Sequence, residues 1–425
     1  MSCAETTRDW FTLDNAARIY PGALSEWSPD VYRISATLRA PIRVSTLAEA
    51  MRTVLPRFPY FQVHLRRGLF WYYLQRSQAV AGLFPMTDVP VSAMPEPIGG
   101  GYLLRAQARG ATIAVDFSHV LTDGAGAICF LGTLVTRYLQ LRGTMITNWA
   151  PFLDPDTPPE VGEFEDAYDR YQNPGLPAPP RLSSAYHLPD QAEGRSRVIT
   201  GRLPLDDVLG LARQLGVSLT AYLVAVYMDA MARVREATGG GHPVLRIEVP
   251  VDMRRLLPSQ TMRNFSLFVS PEIDLRLGRY TFEEIVQRVH HLLRLQVDRK
   301  ELSRQVARNV RAAHLPLLRV LPLRLKDPLF ALVRERFGET PYSGVLSNVG
   351  RIEVPADILP EVESFDVMLG PNPRMKKTCV VLSFRDDLVV NFGSVVASRA
   401  LERLFFTHFV RAGVRVGVSE RSGDR

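Results

Sequence analysis

One short segment carries residues whose types and spacing suit proton chemistry: Asp116-Phe117-Ser118-His119-Val120-Leu121-Thr122-Asp123-Gly124. A histidine is followed four residues later by an aspartate and then a glycine, an HxxxDG pattern. An imidazole with an ordinary pKa near 6.5 is mostly neutral at neutral pH and can take a proton from a hydroxyl. That work needs the ring at the mouth of a pocket, one nitrogen toward the reacting group and the tautomer fixed. Asp123 is placed either to cap a following helix or to pair with an arginine and lock the turn. Gly124 is expected to permit backbone angles or a close approach that a side chain would forbid.

The elements that must hold this segment are readable on both sides of it. ATIAVDFSH alternates like a strand, and Ile128, Leu131, Leu134, Val135, Tyr138 and Leu139 recur at three-to-four spacing, so a helix is predicted over 124–141. The motif is therefore a strand end, a tight turn and a helix start. Upstream, VYRISATLRA reads as a strand, STLAEAMRTVLPRF as a helix opened by a Ser45 or Thr46 cap, and FQVHLRRGLFWYYLQ as a hairpin turning near Arg67-Gly68. Nine prolines between Pro151 and Pro189 mark an extended crossover. Beyond it RVITGRLPLDDVLGLARQLG gives a strand and a helix, and SLTAYLVAVYMDAMARVREATGGG gives an apolar helix stopped by glycines. VLRIEVPVDM and FSLFVSPEIDL read as strands, 281–313 as a long basic helical region, VLSNVGRIEVP and KTCVVLSFRDDLVVNFGSVV as the last strands, and 398–412 as a closing helix. The expectation is an α/β protein in two halves: 1–150 with the motif, a proline-rich crossover at 151–195, and 196–425.

Composition narrows the function classes. At 425 residues the chain exceeds one ordinary core, and with 46% hydrophobic and 22% charged residues it can bury two. No window reaches the uninterrupted apolar length of a membrane span, and the N-terminus lacks the basic and apolar regions of a secretion signal. Cys3, Cys129 and Cys379 are far apart and have no CxxC spacing, which argues against a disulfide framework or zinc and fits a reducing cytoplasm. No metal site is expected. The net charge of +7 suits a phosphate-bearing cofactor, an acidic carrier protein or a membrane surface. Yet only four of the 51 basic residues are lysine (Lys300, Lys326, Lys376, Lys377), a skew that a GC-rich genome also produces. Without a basic run interleaved with aromatics, nucleic acid is excluded as a partner. Gly124-Ala-Gly126 after a strand is no dinucleotide fingerprint, because Cys129 replaces the third glycine and no acidic residue follows about twenty positions on. No GxSxG elbow supports a serine hydrolase.

The motif and its surroundings resemble the CoA-dependent HxxxDG acyltransferase superfamily, which holds chloramphenicol acetyltransferases, plant HxxxD acyltransferases, peptide-synthetase condensation domains and alcohol acetyltransferases. FTLDNAARIYP, FPYFQVHLRRGLFWYYL, FSHVLTDGAGAICFL, VPVDMRRLLPSQTMRNFSLFV and VLSNVGRIEVP are most similar to the alcohol acetyltransferase-like branch, in the expected order over most of the chain. The resemblance implies two similar chloramphenicol-acetyltransferase-like lobes, each a mixed sheet with helices, with His119 at their interface. It implies that His119 deprotonates an acceptor alcohol or amine, which attacks an acyl thioester. Acyl-CoA is then a co-substrate, no cofactor stays bound, and an acyl carrier protein is the alternative donor. A monomer in the cytoplasm is expected. The motif aspartate is structural in the family and is held by an arginine of the second lobe; Arg254 matches that position, with Arg255 and Arg263 as rivals. Ser347 and Asn348 are the candidates for stabilising an oxyanion, although SNVG also suits a plain turn. Arg374, Lys376 and Lys377, in the loop that begins Asn372-Pro373, are candidates for coenzyme A phosphates, or else a solvated basic loop. Two departures matter. Ser118 stands where condensation domains carry a second histidine, which shifts the expectation toward ester formation, and VNFGSVV is at most a remnant of the plant DFGWG motif.

Overall fold

The computed structural model describes residues 9–24, 30–77, 82–87, 91–193, 195–370 and 374–424; Cys3, Asn372 and Pro373 lie outside them. The chain is α/β. A five-stranded mixed sheet runs in the order Val362–Leu369, Val31–Leu38, Thr112–Ser118, Leu104–Arg109, Leu83–Pro85. A larger mixed sheet runs Ser266–Val269, Val244–Asp252, Gly344–Arg351, Lys377–Phe384, Asp387–Ser394, Arg195–Pro204, Gly417–Asp424, with Glu272–Asp274 also on Val244–Asp252. Trp10–Thr12, Tyr72–Arg76 and Val63–Arg67 form a small third sheet, and the last two make the hairpin expected near Arg67-Gly68.

The sequence dictates most of these pieces locally. Asp123 caps the helix Gly124–Leu141, and Phe130, Leu131, Leu134, Val135 and Tyr138 bury its inner face. Gly239, Gly240 and Gly241, all at positive φ, follow the helix Leu219–Ala237. The helix predicted near Ser45 begins instead at Val44 behind Arg43, with no side-chain cap. Ser45 and Thr46 are already inside its first turn, and so neither hydroxyl occupies the capping position. The basic region 281–313 is two helices, Phe282–Gln296 and Arg299–Ala313, the second opened by Asp298, whose carboxylate accepts from Lys300 and Glu301 amides. Pro316–Val320, Leu323–Val333 and the strands Val362–Leu369 and Gly417–Asp424 are further elements that the sequence pattern did not reveal.

The two cores meet on one sheet. In Lys377–Phe384, Cys379 and Val381 belong to the core of the C-terminal half, whereas Val380 and Leu382 belong to the core around the five-stranded sheet. Side chains alternate along a strand, so one face of the large sheet turns toward its own helices and the other toward the N-terminal lobe. The chain also crosses between lobes: Val362–Leu369 pairs antiparallel with Val31–Leu38, and a cut at residue 195 would strip the N-terminal sheet of that edge strand. The proline-rich stretch is not loose, because Phe164, Tyr168 and Tyr186 are buried in the two cores. Among the described residues no single helix is long and apolar enough to cross a membrane; Leu205–Gln214 and Leu219–Ala237 reach that length only jointly, across a bend of 85°.

Candidate active site

His119 follows the central strand Thr112–Ser118, and its backbone is clamped from both halves of the chain. Its N–H donates to the carbonyl of Asp30 at 2.8 Å, and its own carbonyl accepts from Asn264 Nδ2 at 3.0 Å. The ring lies between two tyrosines, 4.4 Å from the Tyr32 ring centroid and 5.7 Å from that of Tyr20. Neither ring nitrogen hydrogen-bonds to a described residue, so both remain open to a reacting group. Burial pulls the imidazole down to about 4; the Asp123 charge opposes this and Arg334 adds to it. Desolvation disfavours the imidazolium, and the His119 ring is therefore neutral throughout the physiological range.

Asp123 both caps the helix and receives an arginine. Its carboxylate accepts from the amides of Ala125 (3.2 Å) and Gly126 (3.4 Å), and from the Phe265 amide at 2.8 Å. Arg254 meets it with two nitrogens, Nη1 to Oδ2 at 2.9 Å and Nη2 to Oδ1 at 3.2 Å, the fork geometry that favours arginine over lysine. The same guanidinium donates to Asp252 Oδ1 and to the carbonyls of Thr261 and Arg263, which ties the whole 252–265 segment to the motif. Of the rivals, Arg255 is exposed, and Arg263 donates to the Thr12 carbonyl and faces Asp14. The Tyr32 hydroxyl closes the turn from the other side by donating to the carbonyls of Thr122 and Asp123.

The glycine requirement falls two residues from where the sequence placed it. A Cβ added at Gly124 meets no atom within 4 Å, and its φ is ordinary, so neither close approach nor backbone angle explains it. At Gly126 a Cβ would stand 2.3 Å from Thr122 Oγ1 and 2.4 Å from the Met262 carbonyl oxygen. The close approach between the motif helix and the second half of the chain occurs there.

A second set of ionisable groups, missed in the sequence, reaches His119 through the Asp30 carbonyl that takes its amide, the Arg334 charge and the Tyr20 ring stacked on it. Arg334, 304 residues away, pairs with Asp30, Nη2 to Oδ1 at 2.6 Å, and its Nε meets Glu339 at 3.2 Å. Burial nonetheless holds the Asp30 carboxyl up at about 6. Glu248 sits in the strand Val244–Asp252 in register with Val345, and its neighbours Ile247 and Val249 face the C-terminal core. Alternation turns Glu248 toward the N-terminal lobe. It is 7% exposed, it hydrogen-bonds to no described residue, and burial raises its carboxyl to about 8. Burial likewise raises the Tyr20 phenol, and the charges of Asp30 and Glu248 add to that rise. The signal that was available for Glu248 is a lone carboxylate inside the otherwise apolar run VLRIEVPV. Asp30 and Arg334 offer no comparable local signal.

Ser347 and Asn348 lie in the strand Gly344–Arg351. Ser347 pairs with Val380 and so shares the face turned to the N-terminal lobe, and its hydroxyl has no hydrogen bond among the described residues. Asn348 is committed: Nδ2 donates to Thr220 Oγ1 at 2.9 Å and Oδ1 accepts from Gly350 N at 3.0 Å across the bulge. The three cations considered for phosphates do not form a cradle. Lys377 is buried, with its ammonium on Glu402 and the Ser398 carbonyl; Lys376 donates to the Leu188 carbonyl; Arg374 pairs with Glu335. Among the described residues no group of His, Cys, Asp and Glu is arranged to hold a metal ion.

No family model matches the sequence, and no curated protein matches it. Solved structures do match. TRI101 of F. sporotrichioides, in complex with coenzyme A and T-2, aligns over 96% of this chain and 99% of its own at 13% identity, with a TM-score of 0.65. Polyketide synthase associated protein 5 from Mycobacterium tuberculosis aligns over 93% and 97% at 15% identity, TM-score 0.57. The starter condensation domain of rhizomide synthetase, in complex with C8-CoA, aligns over 96% and 95% at 13% identity, TM-score 0.60. At these identities the likeness shows the fold: the chain has the two-lobed architecture of acetyltransferases and condensation domains along nearly its whole length.

Proposed function

We propose that this protein is an acyltransferase that moves an acyl group from an acyl-CoA thioester to the hydroxyl of a small or medium alcohol, with His119 as general base. The observation that carries the reading is the His119 ring itself: neutral, held by its backbone from both halves of the chain, and with no hydrogen-bond partner on either nitrogen among the described residues. In the reaction the imidazole takes the hydroxyl proton as the acceptor oxygen attacks the thioester carbonyl. The C–O bond forms, the carbonyl electrons move onto oxygen, and the tetrahedral intermediate collapses with loss of the thiolate. The proton held on His119 passes to that sulfur, so ester and free thiol leave and the base is regenerated. The Ser347 hydroxyl, unpaired among the described residues and turned toward the N-terminal lobe, is the candidate donor to the oxyanion. Asn348 supports the strand instead, since both ends of its amide are occupied. Asp123, Arg254 and Gly126 are positioning residues that hold the turn.

A second donor is supported by one observation. The loop nominated for coenzyme A phosphates has its cations engaged with Glu402, Leu188 and Glu335, which leaves a thioester on a carrier protein as the alternative source of the acyl group.

A donor-by-acceptor screen tests both readings, with thiol release as the signal. Turnover with an acyl-CoA and an alcohol is the expected result, and His119→Ala is expected to cut it by about 10³-fold while leaving unfolding unchanged. Turnover with a loaded carrier but with no acyl-CoA would move the donor assignment to the carrier. Wild-type rates in His119→Ala with any accepted pair would remove the general-base assignment.

A further inference from the structure

The helix Leu323–Val333 is apolar on two faces, and only one is covered. Leu323, Lys326 and Phe330 turn inward, at 2%, 0% and 7% exposure. Leu325, Leu329 and Leu332, spaced four and three apart, form a second stripe toward solvent at 60%, 38% and 60%. A helix that is hydrophobic all round is ordinarily buried all round. The stripe does not stand alone. Val320 and Leu315, in and before the short helix Pro316–Val320, are exposed at 67% and 52%. The hairpin tip adds Leu69 and Phe70, at 71% and 40%. That tip is bound to the helix: Leu323 N donates to the Leu69 carbonyl at 2.9 Å, Lys326 Nζ donates to the Phe70 carbonyl at 2.6 Å, and Trp71 stacks on Phe330. Such a concentration of large exposed side chains marks an interaction surface rather than scattered surface leucines.

The charges around it have one sign. Exposed Arg311, Arg319, Arg324 and Arg336 border these segments, and none has a carboxylate partner among the described residues. Of the acids near it, Asp327, Glu335 and Glu339 are paired with Arg67, Arg374 and Arg334, and Asp169 faces His314. A second copy of this chain would bring the same cations against these, so self-association is opposed by charge. We propose that this face docks on an anionic lipid bilayer, with the leucines and Phe70 entering the boundary between headgroups and acyl chains and the guanidinium groups meeting lipid phosphates. The covered stripe of the same helix, Leu323, Lys326 and Phe330, continues four residues on to Arg334, whose pair Asp30 holds the His119 amide, so the docking stripe is the outer face of the helix that leads to the site. The docking surface does not depend on the catalytic reading and can be tested without a substrate.

The test is co-sedimentation of the full chain with vesicles of phosphatidylcholine alone and of phosphatidylcholine mixed with phosphatidylglycerol. Binding is expected to the mixed vesicles and to weaken as salt is raised. Replacing Leu325, Leu329 and Leu332 together by serine is expected to lower partitioning at least about tenfold. Arg319→Glu with Arg324→Glu is expected to abolish the preference for anionic lipid, and it provides an independent arm should the leucine variant fold poorly. The unfolding midpoint of each variant, expected to match the parent because these side chains are exposed, is the control. Absence of binding to the anionic vesicles at low salt, or binding undiminished in both variants, overturns the proposal. A dimer in solution that the leucine substitutions convert to monomer would also overturn it and assign the face to self-association.

Discussion

On one flank of His119 the Asp123 carboxylate receives two backbone amides of its own helix, the Phe265 amide and both outer nitrogens of Arg254. On the other flank, Glu248 is as buried as Asp123, 7% exposed in each case, yet it accepts nothing from a described residue. Two carboxylates of equal burial thus face opposite electrostatic conditions. The first is saturated and joins the lobes, with every bond directed at backbone or at a fork-shaped cation. The second lies beside one guanidinium, that of Arg334, which already serves Asp30 and Glu339. Burial wins there, and the carboxyls of Asp30 and Glu248 rise to about 6 and about 8. Saturated polar networks fix geometry, whereas perturbed and unpaired groups gather where a ligand completes the set. By that criterion we propose the Arg254 side as the frame of the candidate site and the Glu248 side as its working face.

The comparison is broken most directly at Arg254. Arg254→Ala leaves Asp123 buried without its counter-charge and releases the carbonyls of Thr261 and Arg263, so a loss of about 3–5 kcal/mol in unfolding free energy is expected. Denaturant unfolding measures it. A loss below about 1 kcal/mol, the range of an exposed ion pair, would mean that the latch does not carry the junction between lobes.

Glu248→Gln sharpens the other side through its pH dependence. The folded protein holds the Glu248 proton up to about pH 8, whereas the unfolded chain releases it near the ordinary glutamate value. Between those two values the folded state binds more protons, so this residue makes stability fall as pH rises through the window and adds no slope above it. Glutamine cannot ionise. The variant is expected to match the parent near about pH 5 and to exceed it by a few kcal/mol near about pH 8, read from unfolding at both ends. Parallel stability curves across the window would show that Glu248 keeps an ordinary carboxylate and that the two flanks do not differ in kind.

What the sequence allowed to be read follows from how local each cause is. The strand, turn and helix around His119 were legible, because Asp123 is a capping residue and the apolar spacing of 124–141 depends only on near neighbours. Arg254 needed a family resemblance, since nothing within 131 residues of chain points it at Asp123. The Asp30–Arg334 pair spans 304 residues and has no periodicity to betray it. Lys377 shows the converse error: PRMKK looks like a solvated loop, and only the fold brings Glu402 under it and buries both. The edge strand Val362–Leu369 was missed because its partner is Val31–Leu38 in the other lobe. Gly417–Asp424 was missed because a polar run at a sheet edge has no apolar alternation to detect.

The smallest expected effect separates two glycines of the frame itself. Thr122 Oγ1 donates to the Met262 carbonyl at 2.6 Å, and both atoms would lie within 2.4 Å of a Cβ at Gly126. The hydroxyl could rotate away only by giving up that bond, and the carbonyl is backbone fixed by the 252–265 segment. Gly126→Ala is therefore expected to cost about 1–3 kcal/mol, the range for forcing a methyl group into a packed contact. Gly124→Ala adds a methyl group where nothing lies within 4 Å, in the first turn of a helix, where alanine is the better former. Its unfolding free energy is expected to stay within about 1 kcal/mol of the parent, on the stabilising side. If Gly124 matters, it matters to what enters that open space beside His119, and the variant should lose kcat/KM while keeping its stability. Equal destabilisation by both substitutions would place the tight contact over the whole first turn and remove the distinction between a packed frame and an open working face.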